Sequence, residues 1–265
     1  VVQARRAGRE AVRATREAER AATVATYLLG LLELPYPYDS GTTRQRSLRS
    51  LLDSGAVRAH MLTAAGGAMQ SDVYMALTRG YRGLGDFRTA AGLARRAVDL
   101  RVAELGDTAY AVASARVELA ESLRLAGDAT AAAAQYDTAL VTIRRRHGPR
   151  AVVVGAMLQA RARAERARGD LARAERTVAA VLAILADSGR AESIPFAHAH
   201  QTLGHLHMER ARWAAAESSY RVALAVRTRI GASPLEVANA LGDVGAAATE
   251  QGRLAEAESL VARSL

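Results

Sequence analysis

One seven-residue phrase returns five times along this chain. GDFRTAA begins at residue 85, GDATAAA at 127, GDLARAE at 169, ARWAAAE at 211 and GRLAEAE at 252, so successive copies stand 42, 42, 42 and 41 residues apart. Self-similarity at a fixed period of this length marks a stacked array, in which each unit buries its apolar face against its neighbours. Each period holds two stretches of helical apolar spacing on either side of a glycine. In VASARVELAESLRLAG, Val117, Leu119, Ala120 and Leu123 share one face; in DATAAAAQYDTALVTIRRR, Ala132, Tyr136, Ala139 and Leu140 share another. Gly127 stands where the first helix must stop, and glycine reaches the left-handed conformation there without a Cβ penalty. Asp128 then offers an N-cap oxygen to the second helix, as Asp86 and Asp170 do in their own units. The unit reads helix, tight turn, helix.

Ala90, Ala132, Ala174, Ala216 and Ala257 occupy one equivalent place in all five units. Three residues earlier the side chain varies freely: Phe87, Ala129, Leu171, Trp213 and Leu254. A place that accepts only alanine, beside one that accepts large groups, predicts two helix backbones passing closely. A larger side chain there would overpack, at roughly 1–3 kcal/mol.

Leu203-Gly204, Trp213, Ala216, Tyr220 and Ala223 resemble the tetratricopeptide-repeat signature, and the 42-residue unit resembles the long variety found in kinesin light chains. The resemblance covers about residues 71 to 265. It implies an all-α, right-handed α-solenoid of repeats 71–112, 113–154, 155–196, 197–237 and 238–265, with a protein or peptide held in its concave groove. The third unit departs most, with Arg161 where a leucine is usual and Glu165 where an aromatic is usual, so the signature says least about its packing. The last unit carries no polar closing helix, and the chain, which starts at Val1, reads as a segment of a longer protein.

The first seventy residues read differently. Ala4, Ala7, Ala11, Ala14, Ala18, Ala21, Ala25, Leu28 and Leu32 alternate spacings of three and four, a heptad seam on a charged helix over 1–34. That helix has three readings: packed on the solenoid, a coiled-coil or signalling linker, or a free extension. ELPYPYDSGTT is a loop, and a helix from Thr43 to Met61 carries Leu48, Leu51, Leu52 and Val57. TAAGGAMQSD is then the break before the first repeat, so 35–70 forms a connector. Tyr27-Leu28-Leu29-Gly30-Leu31-Leu32-Glu33 and Leu51-Leu52-Asp53-Ser54-Gly55-Ala56 resemble the region after the catalytic domain and membrane helix of bacterial serine/threonine kinases that carry such repeats. This implies a kinase domain upstream and a regulatory or scaffolding role for the present residues.

Composition closes several classes of chemistry. Half of the 265 residues are apolar, enough for a large core. With no cysteine, thiolate metal sites and cysteine nucleophiles are excluded; with no lysine, so are the phosphate-loop lysine, the kinase ATP-binding lysine and Schiff-base chemistry. Asp86-Phe87-Arg88 lacks the glycine of a magnesium-binding DFG, and Gly66-Gly67 lacks the lysine of a phosphate loop. No catalytic constellation emerges, no cofactor is expected, and neither a signal peptide nor a membrane span is apparent. The formal charge of +9 attracts anionic partners in principle, yet the arginines alternate with glutamates as on a solvated helix surface.

In a solenoid of this kind the first helices line the concave groove, so equivalent positions form ladders. One ladder holds Arg82, Arg124 and Arg166; another holds Arg79, Glu121, Arg163 and His205. Guanidinium groups grip carboxylates in bidentate fashion, and the ladders could hold an extended, acidic peptide. The alternative is that they solvate the groove and pair with Glu118, Glu121 and Glu165. His198 and Gln201 join the candidate groove from the fourth unit, and Asn239, the one asparagine, joins it from the fifth. That single asparagine departs from kinesin light chains, whose grooves clamp peptide backbone with several. His198 and His205 share a helix face, as do His200 and His207, each pair about 10 Å apart in rise and too far for one metal. A nucleic-acid-binding solenoid and a homodimerisation module remain the other readings of this chain; scarce groove aromatics and interleaved acids speak against the first.

Overall fold

In a computed structural model, residues 48–62 and 66–262 are described, and eleven helices follow one another among them. The heptad seam, the Tyr27–Glu33 motif and the 33–43 loop lie outside these residues. The helices are α1 (Leu48–Met61), α2 (Gly67–Gly83), α3 (Phe87–Leu105), α4 (Tyr110–Leu125), α5 (Ala129–His147), α6 (Val152–Ala167), α7 (Leu171–Asp187), α8 (Ile194–Glu209), α9 (Trp213–Arg229), α10 (Pro234–Glu250) and α11 (Leu254–Ala262). No described helix is long and apolar enough to cross a membrane. The chain divides into two compact units after Ala126.

The recurring turn forms as its chemistry dictates. Gly85, Gly127, Gly169 and Gly252 all have φ between 75° and 91°, the left-handed region that lets the chain reverse after each first helix. Asp86, Asp128 and Asp170 accept hydrogen bonds from the backbone N–H of Thr89, Ala131 and Arg173, capping α3, α5 and α7. The fourth copy breaks both rules. Ala211 holds φ 52° without being glycine, and Arg212 at the N-cap makes no side-chain cap. In its place Arg212 reaches Glu175 of the preceding second helix at 2.6 Å, and Arg253 of the fifth copy likewise reaches Glu217. Where the capping carboxylate is lost, an arginine ties the helix to its neighbour instead.

In the first unit α1 packs on α2, α2 on α3, and α3 on α4. AMQSD is not part of a break: α2 begins at Gly67, so these residues are helical. Gln70 and Ser71 are buried there because carbonyls accept their protons, Ala59 at 2.8 Å and Ala97 at 3.1 Å. In the second unit each helix from α5 to α11 packs on the next. Ala90, Ala132, Ala174 and Ala216 are wholly buried and Ala257 nearly so. Close approach is tightest at Gly204, where an added Cβ would stand 2.4 Å from Cε1 of Tyr220. Tyr220, Leu241, Val244, Ala247 and Leu260 fill the core around it.

The third repeat carries its polar substitutions inside. Glu165 is fully buried, at the place held by Tyr81 and Leu123 in earlier repeats. Its Oε1 lies 3.2 Å from Arg161 and 2.8 Å from Arg173, and its Oε2 accepts from Thr177 at 2.7 Å. Asp137 of α5 meets a second nitrogen of each guanidinium, at 2.8 and 3.2 Å. Two acids and two arginines therefore close a neutral network between α5, α6 and α7. Glu165 thus belongs to the core and takes no part in pairing groove arginines.

Candidate functional site

First helices lie beside each other within each unit: α2 beside α4 in the first, and α6 beside α8 in the second. Side chains bridge these neighbours directly. Arg82 of α2 donates to Glu118 of α4 at 2.9 Å, with Arg79 3.9 Å from the same carboxylate. Arg166 of α6 donates to Glu209 of α8 at 2.6 Å, and Gln201 of α8 donates to Asp243 of α10 at 2.5 Å. Glu121 and Arg124 hold each other across one turn of α4, at 2.6 and 3.0 Å.

The guanidiniums of Arg82, Arg124 and Arg166 are thus already engaged by carboxylates. Each pair is partly solvated, so each contributes about 1 kcal/mol or less and a ligand carboxylate can compete for it. Among the other candidates, Arg163, His198 and Asn239 are exposed on α6, α8 and α10. Desolvation, then Arg227 and Arg163, hold the His198 imidazole below the usual histidine range, with Glu236 opposing. His205 sits 3.7 Å from Asp243, and its ring meets Tyr220 edge-on at 5.5 Å.

The histidines of α8 divide by burial. His200 packs edge-on against Phe196 with ring centroids 4.7 Å apart, and His207 is buried between α8 and the Arg212–Glu175 pair. Burial pushes both imidazoles below the usual histidine range, and Arg212 and Arg210 add to this at His207. No three His, Cys, Asp or Glu side chains among the described residues come together as a metal would need.

Two residues at this face escaped the ladder reasoning, Arg227 and Asp243. Arg227 lies on α9, a second helix, yet its Nη2 donates to Gln201 of α8 at 2.7 Å. Its place along the repeat was a usable signal. One and two periods earlier stand Leu185 and Ile143, both buried, so an arginine there must sit in the core.

Helix pairs, glycine turns and buried alanines at a 42-residue period leave one architecture. The fold is the tetratricopeptide-repeat solenoid. No protein-family model and no curated protein matches this sequence. Among solved structures, BtubC (BKLC) from P. vanneervenii is similar at 22% identity and a TM-score of 0.67, over 83% of this chain and 90% of that one. A Podosopora anserina protein of kinesin-light-chain type, with nearly identical TPR-like repeats, is similar at 18% identity and a TM-score of 0.63, over 72% of this chain and 91% of that one. A Rap protein in complex with competence and sporulation factor is similar at 14% identity and a TM-score of 0.61, over 82% of this chain and 58% of that one.

Proposed function

We propose that this chain is a non-catalytic protein-interaction module that receives an extended segment of a partner protein along α6, α8 and α10. One observation carries the reading. Neighbouring first helices are tied to each other by Arg166–Glu209 and Gln201–Asp243, while Arg163, His198 and Asn239 stay exposed on the three helices in turn. The ties hold the face in register, and the exposed groups are what a ligand would meet. The Rap protein noted above, solved with competence and sporulation factor bound, supports this use of the fold. A parent chain of the bacterial serine/threonine kinase kind is the setting we propose. Its support is Leu51-Leu52-Asp53-Ser54-Gly55-Ala56, which lies in α1 and whose Asp53 accepts the Tyr81 hydroxyl at 2.6 Å.

A displayed random-peptide library selected on the purified chain tests the proposal. Selected peptides are then titrated by fluorescence anisotropy against wild type and an Arg163→Ala/His198→Ala/Asn239→Ala variant of unchanged circular dichroism. Loss of tenfold or more in affinity supports the face. Peptides that bind both forms equally place the site elsewhere, and the absence of any enrichment rejects peptide binding.

A further inference from the structure

The repeats of one chain act as controls for each other, and one pair of positions shows this in detail. In the first repeat Arg101 of α3 is partly buried and fully accounted for. It donates to Asp72 of α2 at 2.5 Å and to the carbonyl of Ala111 at 3.1 Å. Three periods on, the same two places are Arg227 of α9 and His198 of α8. The arginine is kept, now only 3% exposed, while its aspartate has become histidine. Arg227 retains one hydrogen bond, to Gln201, and its Nε and Nη1 are buried without a partner.

The surrounding acids do not make up the loss. Asp243 accepts from Gln201, and Glu236 closes a capping box with Ser233 at the start of α10. Burial disfavours the charge of Arg227, which these two acids offset only in part. His198 brings no negative charge in either protonation state. An uncompensated buried charge is among the more destabilising arrangements a fold can hold. In the Glu165 network, by contrast, each buried charge faces an opposite one.

We infer that the fourth repeat carries an anion subsite, in which a ligand carboxylate brings to Arg227, at Nη1 or Nε, the negative charge that Asp72 brings to Arg101. The inference rests on the reading of α6, α8 and α10 as a partner-binding face, and it names what the partner brings there: an aspartate or glutamate side chain. His198, exposed on α8 at the place that Asp72 holds in the first repeat, gives way by a change of rotamer. The buried guanidinium then offers Nη1 or Nε, on its two edges, to a carboxylate oxygen, a charge-assisted contact inside a low-dielectric site.

The test uses the full chain and two libraries of amide-capped heptapeptides, one with aspartate fixed at the centre and one with asparagine. Wild type is expected to favour the aspartate library by at least tenfold. His198→Asp, which rebuilds the internal pair of the first repeat, is expected to abolish that preference and to raise the urea midpoint of unfolding. Arg227→Met is expected to abolish the preference while leaving weak binding of both libraries. Equal binding of the two libraries by wild type overturns the subsite and leaves the face intact. A His198→Asp protein that keeps the preference, or unfolds more readily, also overturns the subsite. If neither library binds wild type, the face itself is rejected, and the subsite with it.

Discussion

The buried carboxylate of Glu165 gives the sharpest energetic test of how this solenoid holds together. Changing Glu165 to leucine inserts the residue that the second repeat carries at the same place, Leu123, so shape and hydrophobicity are tolerable. The penalty is electrostatic. Arg161 and Arg173 lose a shared partner at 3.2 and 2.8 Å, Thr177 loses its acceptor, and one aspartate is left to balance two guanidiniums. Breaking a buried pair by removing one partner costs about 3–5 kcal/mol. Removing Glu165 together with both arginines costs far less, because their desolvation is relieved together and the half-exposed Asp137 stays solvated. The variant Arg161→Leu/Glu165→Leu/Arg173→Ala copies Leu119, Leu123 and Ala131 of the second repeat and is expected to lie within about 1 kcal/mol of wild type or above it. Urea unfolding followed at 222 nm measures both, with the denaturant slope compared between variants because repeat arrays can lose two-state behaviour. The reasoning is refuted if the single variant loses less than about 1 kcal/mol, or if the triple variant is as unstable as the single one.

Three further outcomes follow from the packing. Gly204→Ala drives a methyl group to 2.4 Å from the buried Tyr220 ring and is expected to lose about 1–3 kcal/mol, read as a lowered urea midpoint. Ala211→Gly relieves the φ of 52° and is expected to gain about 1 kcal/mol, whereas the same change at the exposed, right-handed Ala214 of α9 should lose about that much. Acid should weaken the fold before its carboxylates titrate. His200 and His207 bind protons less readily folded than unfolded, so their contribution is whole above the unfolded value near pH 6.5 and is lost as pH falls below it. Each contributes a slope of at most about 1.4 kcal/mol per pH unit. A His200→Phe/His207→Leu variant should flatten the stability profile between about pH 6.5 and 5.

Much of the architecture was legible because it is local or repeats by translation. Gly127 and Asp128 make their turn and cap from residues three or four apart, and the same grammar served at Gly85-Asp86 and Gly169-Asp170. The alanine at 90, 132, 174 and 216 announced a fully buried place through its invariance within one chain. The start of α2 was misjudged because AMQSD reads as a polar break, and only distant carbonyls make Gln70 and Ser71 acceptable in a core.

The candidate site was legible only in part. Period and face placed Arg82, Arg124 and Arg166 in equivalent positions, but which carboxylate each would meet depends on side chains of neighbouring helices. Glu165 looked like a groove partner on paper and lies in the core, held by arginines from two helices that an aspartate of a third helix also meets. Arg227 and His198 drew no notice as a pair, being 29 residues apart on different helices, until Arg101 and Asp72 showed what that juncture normally contains. The sequence by itself determined the metre, the turns and the close packing, since short-range sterics and capping decide them within each unit. Which charges are satisfied, and which guanidinium is left wanting an anion, only the tertiary structure decided. That outcome is set by the rotation and spacing of helices against each other, to within the few ångströms over which a hydrogen bond is made or lost.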